Sequence, residues 1–188
     1  MAVLLSSAPV QAQSVFSHNL IVNGNAELGP GNDGSSAPAS IPGWTAAGSP
    51  RVISYASGFD LSPTSIIPAN HGNNYFAGGQ GQATSSLTQS IDLSSGGSTI
   101  DGGNVTFDVS GYLGGQGEDT ATLSLAFLGT SGNQLNTVTL GPITQDDKSD
   151  SSALYLRRNI GPVPSGARKA VLTLTMTRSS GGNNDGYA

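Results

Sequence analysis

The sequence predicts an all-β protein: a two-sheet antiparallel β-sandwich of the jelly-roll kind. Three observations carry that expectation. Four segments alternate apolar and polar residues with period two, turn-forming residues separate them, and no segment shows convincing helical spacing. Leu87, Gln89, Ile91 and Leu93 share one face of the first segment, with Thr88, Ser90 and Asp92 on the other. Val105, Phe107 and Val109 alternate with Thr106, Asp108 and Ser110, and Leu123, Leu125 and Phe127 alternate with Thr122, Ser124 and Ala126. Leu172, Leu174 and Met176 alternate with Thr173, Thr175 and Thr177, which sets a row of threonines on the outer side. A pleated strand sends successive side chains to opposite faces, so each segment has one face for a core and one for water or a partner.

Weaker strand signals lie at residues 19–23, 51–55, 75–77, 136–143 and 153–160. The separators include Ser95-Gly96-Gly97, Asp101-Gly102-Gly103, Gly114-Gly115-Gln116-Gly117 and Thr130-Ser131-Gly132-Asn133. Together they give about nine short strands, as a sandwich requires. Residues 29–40 are too rich in Gly, Pro and Ser for any element and read as a surface loop. With 188 residues and no composition break, residues 14–188 form a single β-sandwich domain. Residues 1–13, MAVLLSSAPVQAQ, read as the remnant of a secretory signal peptide, with a short apolar run before the small-x-small Val10-Gln11-Ala12. The expected location is therefore secreted or at the cell surface. No stretch approaches the ~18 continuous apolar residues of a membrane span.

Only 10% of the residues are charged, while the chain holds 27 Gly, 27 Ser, 15 Thr and 13 Asn. Hydroxyls and amides keep such a surface wet. Seven basic residues against twelve acidic ones leave no electrostatic footprint for nucleic acid. There is no cysteine, so a core and not disulfides must hold the fold.

Catalysis needs a nucleophile with a base, a suitably placed carboxylate pair, or an open metal. His18 and His71 are isolated, no Gly-x-Ser-x-Gly turn is present, and the pairs Glu118-Asp119 and Asp146-Asp147 are adjacent residues that point apart on a strand. The expectation is a non-catalytic protein. Calcium is the metal the composition favours, because the acids sit among Asn and Gly at Asn23-Gly24-Asn25-Ala26-Glu27 and Asn183-Asn184-Asp185-Gly186.

The order of landmarks carries a resemblance. Asn19-Leu20-Ile21-Val22-Asn23-Gly24-Asn25-Ala26-Glu27 precedes Pro42-Gly43-Trp44 and Gly72-Asn73-Asn74-Tyr75-Phe76-Ala77-Gly78-Gly79. Thr88-Gln89-Ser90-Ile91-Asp92-Leu93, Val109-Ser110-Gly111-Tyr112-Leu113-Gly114-Gly115 and Asn184-Asp185-Gly186-Tyr187-Ala188 follow. The chain from about residue 19 resembles the galactose-binding-domain-like jelly rolls, which include many carbohydrate-binding modules of secreted or surface bacterial proteins. That resemblance implies a structural calcium near the first and last strands, with Glu27 and Asp185 as ligands and Asn25 as a carbonyl donor. It also implies a last hydrophobic strand beyond the Tyr-Ala segment, where this chain ends. The expectation is a missing final strand and an unpaired sheet edge that favours self-association.

Glycan recognition pairs an aromatic face with amides and hydroxyls. The aromatic candidates are Tyr112, Tyr155, Tyr75 and Trp44, with Tyr55 also in the supply. Tyr112 and Tyr155 are the surface choices, since Val109 and Leu154 with Leu156 occupy the opposite alternation, whereas large aromatics such as Trp44 commonly serve a core. The function expected is a secreted, non-catalytic carbohydrate-binding module with a structural calcium. The alternative is a structural or adhesive surface sandwich with protein or matrix partners.

Overall fold

The computed structural model describes residues 16–36, 38, 40–59, 61, 65–149 and 151–188; the proposed signal remnant lies outside them. Ten strands are described: β1 (Thr45–Ala47), β2 (Arg51–Ser54), β3 (Asn74–Gln80), β4 (Thr84–Asp92), β5 (Thr106–Gly115), β6 (Thr120–Leu128), β7 (Gln134–Leu140), β8 (Ala153–Pro162), β9 (Lys169–Thr177) and β10 (Asn183–Tyr187). Two short helices, α1 (Gly97–Asp101) and α2 (Gln145–Lys148), sit in connections. The strands make two five-stranded antiparallel sheets, β1-β4-β9-β6-β7 and β2-β3-β10-β5-β8, so the all-β sandwich expected from periodicity is the fold.

The alternation places the core as read. Leu87, Leu123, Leu125, Leu172, Leu174 and Met176 of the first sheet meet Val52, Phe76, Val109 and Leu113 of the second, all buried in one cluster. On the outer side of the first sheet, Thr45, Thr88, Thr173, Ser124 and Thr139 stand opposite one another in a row across all five strands. A parallel row runs through Ala47, Ser86, Thr175 and Thr122. The outer side of the second sheet is instead partly covered. Ile53, Tyr75, Ala77, Leu154 and Tyr187 form a second buried cluster beneath Leu61, with Tyr55, Phe59 and Ile67 packed on it.

Two strand assignments change. Residues 19–23 are not a strand: Ile21 N–H donates to Asn19 Oδ1 (3.0 Å), and the Gln89 side chain takes both the N–H (2.8 Å) and C=O (3.0 Å) of Val22. Side chains satisfy this segment's backbone where a ladder was expected. Conversely, Asn183–Tyr187 is a strand, paired with β3 on one side and β5 on the other. It has no hydrophobic alternation. Its place is set by Asn184, wholly buried, whose Nδ2 donates to the carbonyls of Met176 (2.9 Å) and Ala83 (3.3 Å) and whose Oδ1 accepts from Gly186 N–H (3.3 Å). Gly78 leaves the room for it, since a Cβ there would fall inside the Asn184 amide.

Asp119, in the β5–β6 turn, fixes the same strand from its other end. Its Oδ2 accepts from Asp185 N–H (2.8 Å) and its Oδ1 from Ser179 N–H (2.7 Å), while Lys148 Nζ donates to its carbonyl (2.7 Å). Burial pushes the Lys148 ammonium down from its ordinary pKa, against the attraction of Asp119 and Asp147. Replacing Asn184 by Ala removes three hydrogen bonds, leaving the buried Gly186 amide without this acceptor and the Met176 carbonyl without this donor, and a loss of about 2–4 kcal/mol is expected in urea unfolding.

Candidate functional site

Tyr112 and Leu156 stand opposite each other on the outer face of the second sheet, and both are exposed, Tyr112 at 37%. The loop between β2 and β3 approaches them from the side. Within it Tyr55 and His71 stack with ring centres 4.2 Å apart, and Tyr55 leans on Tyr75 at 4.8 Å. His71 Nδ1 lies 2.6 Å from the Gly72 carbonyl, which can only accept, so Nδ1 carries the proton and Nε2 is left as an acceptor in the neutral ring. Burial, with a smaller push from Glu27, raises the Tyr55 hydroxyl to about 12, so it remains a donor across the ordinary pH range.

These groups line a cavity of about 330 Å³ that Trp44, Asn25 and Asn70 also reach. Among the described residues lining it there is no Asp, Glu, Lys or Arg. Trp44 packs edge-on against Phe76, with ring centres 5.9 Å apart, and its Nε1 donates to the Asn23 carbonyl (3.1 Å). It is thus part core and part wall.

The other expected aromatics fall elsewhere. Tyr155 is opposite Leu113 on the inner face and packs on the core, because Leu154 and Leu156 take the outer face. Tyr75 is 1% exposed, with its hydroxyl donating to the Phe59 carbonyl (2.7 Å). Tyr55 was among the aromatic candidates, but its pairing with His71 was not expected, because both belong to a loop without periodicity.

The expected calcium ligands do not meet. Glu27 Oε1 accepts from the backbone N–H of Asn73 (2.7 Å) and Asn74 (2.8 Å), and its Oε2 accepts from Asn73 Nδ2 (3.0 Å). Asn25 caps the same loop, its Oδ1 accepting from Glu27 N–H (3.5 Å). Asp185 falls between the pairings Asn184–Gly79 and Tyr187–Ala77, about 13 Å along β3 from the Glu27 contact at Asn74 at ~3.3 Å per residue. An ion with bonds of about 2.5 Å cannot touch both carboxylates. No group of three His, Asp or Glu residues suited to a metal occurs among the described residues.

No protein-family model matches the chain, and no curated protein sequence does. Solved structures are similar in fold. An enzymatically active domain of tailspike protein 4 from bacteriophage CBA120 is 16% identical with a TM-score of 0.54, over 90% of this chain and 20% of that one. TmCBM61, solved with β-1,4-galactotriose, is 13% identical with a TM-score of 0.46, over 91% and 92%. Isomalto-dextranase of Arthrobacter globiformis T6, solved with panose, is 12% identical with a TM-score of 0.35, over 84% and 23%. The chain therefore spans about a fifth of the tailspike domain, and the likeness is one of fold.

Burial pushes the Glu27 carboxyl up, but the bonds from Asn73 and Asn74 outweigh it and hold the group below the ordinary glutamate value. A lowered pKa gives stability that is complete above the unfolded value of about 4.5 and disappears as pH falls through the folded one. Glu27→Gln should cost about 1–3 kcal/mol at neutral pH. The gap from wild type should close as pH drops below 4.5, read by urea titrations of both proteins. Melting curves with calcium and with a chelator test the metal directly. With both Glu27 oxygens engaged no shift is expected, and a calcium-dependent rise would restore the ion to this loop.

Proposed function

We propose that the protein binds a neutral glycan without transforming it, at the surface formed by Tyr112, Leu156 and the Tyr55–His71 pair. The observation that carries this reading is the lining of the 330 Å³ cavity: aromatic rings and amides over leucines, with no Asp, Glu, Lys or Arg among the described residues that line it. Apolar ring faces suit the C–H side of a pyranose, and Asn25, Asn70, the Tyr55 hydroxyl and His71 Nε2 supply the mixed donors and acceptors that hydroxyls require. The reading is non-catalytic because no carboxylate pair flanks the cavity and the Glu27 carboxylate near His71 is engaged by the Asn73 and Asn74 amides.

The signal remnant expected at residues 1–13 would agree with a ligand met outside the cell, and no described helix is long and apolar enough to cross a membrane. A second reading, a surface domain that adheres to protein, is favoured by Leu156 and Ile160, exposed at 51% and 58% near Tyr112 on the same face. Affinity electrophoresis against neutral polysaccharides (a β-galactan, α- and β-glucans, a xylan) separates the two. Retention by at least one polymer is expected. It should be weakened about tenfold or more by Tyr112→Ala with the melting temperature unchanged. Thr175→Ala on the other sheet should have no effect. No retention by any polymer, with self-association in its place, favours the adhesive reading.

A further inference from the structure

The second sheet has two edges, and they are finished differently. At β2 the edge is covered: Asn32 N–H donates to the Val52 carbonyl (3.0 Å), and the Asn32 carbonyl accepts from Ser54 N–H (2.9 Å). The other edge is β8, whose ten residues pair with β5 without a bulge, on the side of β5 away from β10. Successive residues of an antiparallel strand turn their N–H and C=O to alternate sides. Val163 N–H donates toward β5, to the Val105 carbonyl (2.9 Å), whereas Leu154 N–H donates away from it, to the Ile66 carbonyl (2.8 Å). Even-numbered residues of β8 therefore present their backbone groups outward.

The open part of this edge is bracketed. Ile66 takes the Leu154 N–H at one end, and Pro162 has no N–H to give at the other. Between them Leu156, Arg158 and Ile160 have no backbone partner on the outer side among the described residues, and the one contact there is Arg157 Nη1 donating to the Leu156 carbonyl at 3.3 Å. Natural edges are blunted by bulges, prolines or charges. In this window the two end side chains, Leu156 and Ile160, are apolar and more than half exposed. The charge between them is already matched, since Arg158 Nε donates to Asp108 Oδ1 (2.8 Å) in an ion pair.

We propose that two copies of the chain pair antiparallel through β8, about a two-fold axis at Arg158, so that the second sheet runs on from one molecule into the other. That register sets Leu156 of each copy opposite Ile160 of the other, and Arg158 opposite its counterpart. The facing pairs exchange about six backbone hydrogen bonds, two per pair. The Ile160 N–H of the other copy replaces Arg157 on the Leu156 carbonyl. One step further out, Leu154 would face Pro162, where one N–H is taken and the other does not exist, so the pairing ends by itself. Like charges directly opposite are destabilising, but each Arg158 brings its own Asp108, and the junction holds two acids and two bases. The window reads apolar, charged, apolar in both directions and is thus complementary to itself, which is why the occupant is a second copy. Pairing takes place in the plane of the sheet and does not rest on glycan binding.

The full chain contains no cysteine, so a single introduced one reports the register. Arg158→Cys is oxidised mildly, beside Leu156→Cys and Ile160→Cys. A facing pair has its Cα atoms ~5.5 Å apart, within disulfide reach, whereas Leu156 and its own counterpart are displaced by four residues, roughly 13 Å. Crosslinked dimer is expected from Arg158→Cys in about tenfold excess over either control. Sedimentation equilibrium of the unaltered chain should show monomer and dimer exchanging with concentration. Ile160→Lys should weaken the dimer about tenfold or more while the melting temperature of the dilute protein stays unchanged. Amide exchange at Leu156, Arg158 and Ile160 should slow as concentration rises, and exchange at Tyr155 and Arg157, which already face β5, should not. A monomer at every concentration overturns the proposal. So does equal crosslinking at all three positions, which means random collision, and so does a dimer whose edge amides exchange as fast as the monomer's, which puts the interface elsewhere. Glycan retention of the Ile160→Lys protein, measured apart, decides the other reading.

Discussion

Five residues hold the second sheet together. β2 and β3 come from the first half of the chain and β5 and β8 from later parts, and β10 is the strand that joins the two pairs. Nothing in its composition recommends Asn183-Asn184-Asp185-Gly186-Tyr187 as a central strand. It is held there by polar groups taken from water: the Asn184 amide between β9 and the β3–β4 turn, and the Asp119 carboxylate on the backbone of Ser179 and Asp185. Buried polar groups that are fully bonded specify position more sharply than apolar ones, because a shifted register leaves them unpaired. The adjoining glycines have the complementary role. At Gly78 and Gly186 a side chain would collide with Asn184 or with the Thr120 carbonyl, so the sheet closes only where the side chain is hydrogen.

The fold was legible in the sequence wherever one strand face is buried and the other wet. β4, β5, β6 and β9 are of this kind, and their periodicity gave both their existence and their inward faces. Periodicity failed where both faces are covered or neither is. In β8 it found the alternation but inverted it at Tyr155, because Leu154 lies beneath the β2–β3 loop and makes the outer face locally as apolar as the inner. β10 was missed since side-chain amides and glycines set its place, and residues 19–23 look like a strand because a strand's composition does not guarantee a strand's neighbour. For the site, Tyr112 and Trp44 could be nominated by type and do reach one cavity, whereas the Tyr55–His71 stack depends on a loop whose path no local pattern encodes. The pairing of Glu27 with Asp185 came from the family resemblance, and in the structure the two lie apart along β3.

The cavity beside Tyr112 changes its chemistry with depth. Near the surface the groups are rings, amides and a hydroxyl; below, they are leucines from the opposite sheet. Depth thus sorts ligands by polarity. A polyol can be held by the rim without entering, since its hydroxyls would lose water against an apolar floor. An apolar side chain gains most by going all the way down.

The rows of Thr and Ser on the first sheet have a consequence for how that face meets its surroundings. Cross-strand neighbours about 4.8 Å apart, and positions along each strand about 7 Å apart, set hydroxyls on a regular two-dimensional grid. The rows from Thr45 to Thr139 and from Ala47 to Thr122 contain no ionisable group. Adhesion to such a grid is governed by how readily its first layer of water is displaced, and dissolved salt, which weakens charged contacts, has no corresponding pair of charges to screen. Those two rows would therefore hydrate alike in fresh water and in brine, and the Asp92–Lys169 pair at the end of the same face is what salt would reach.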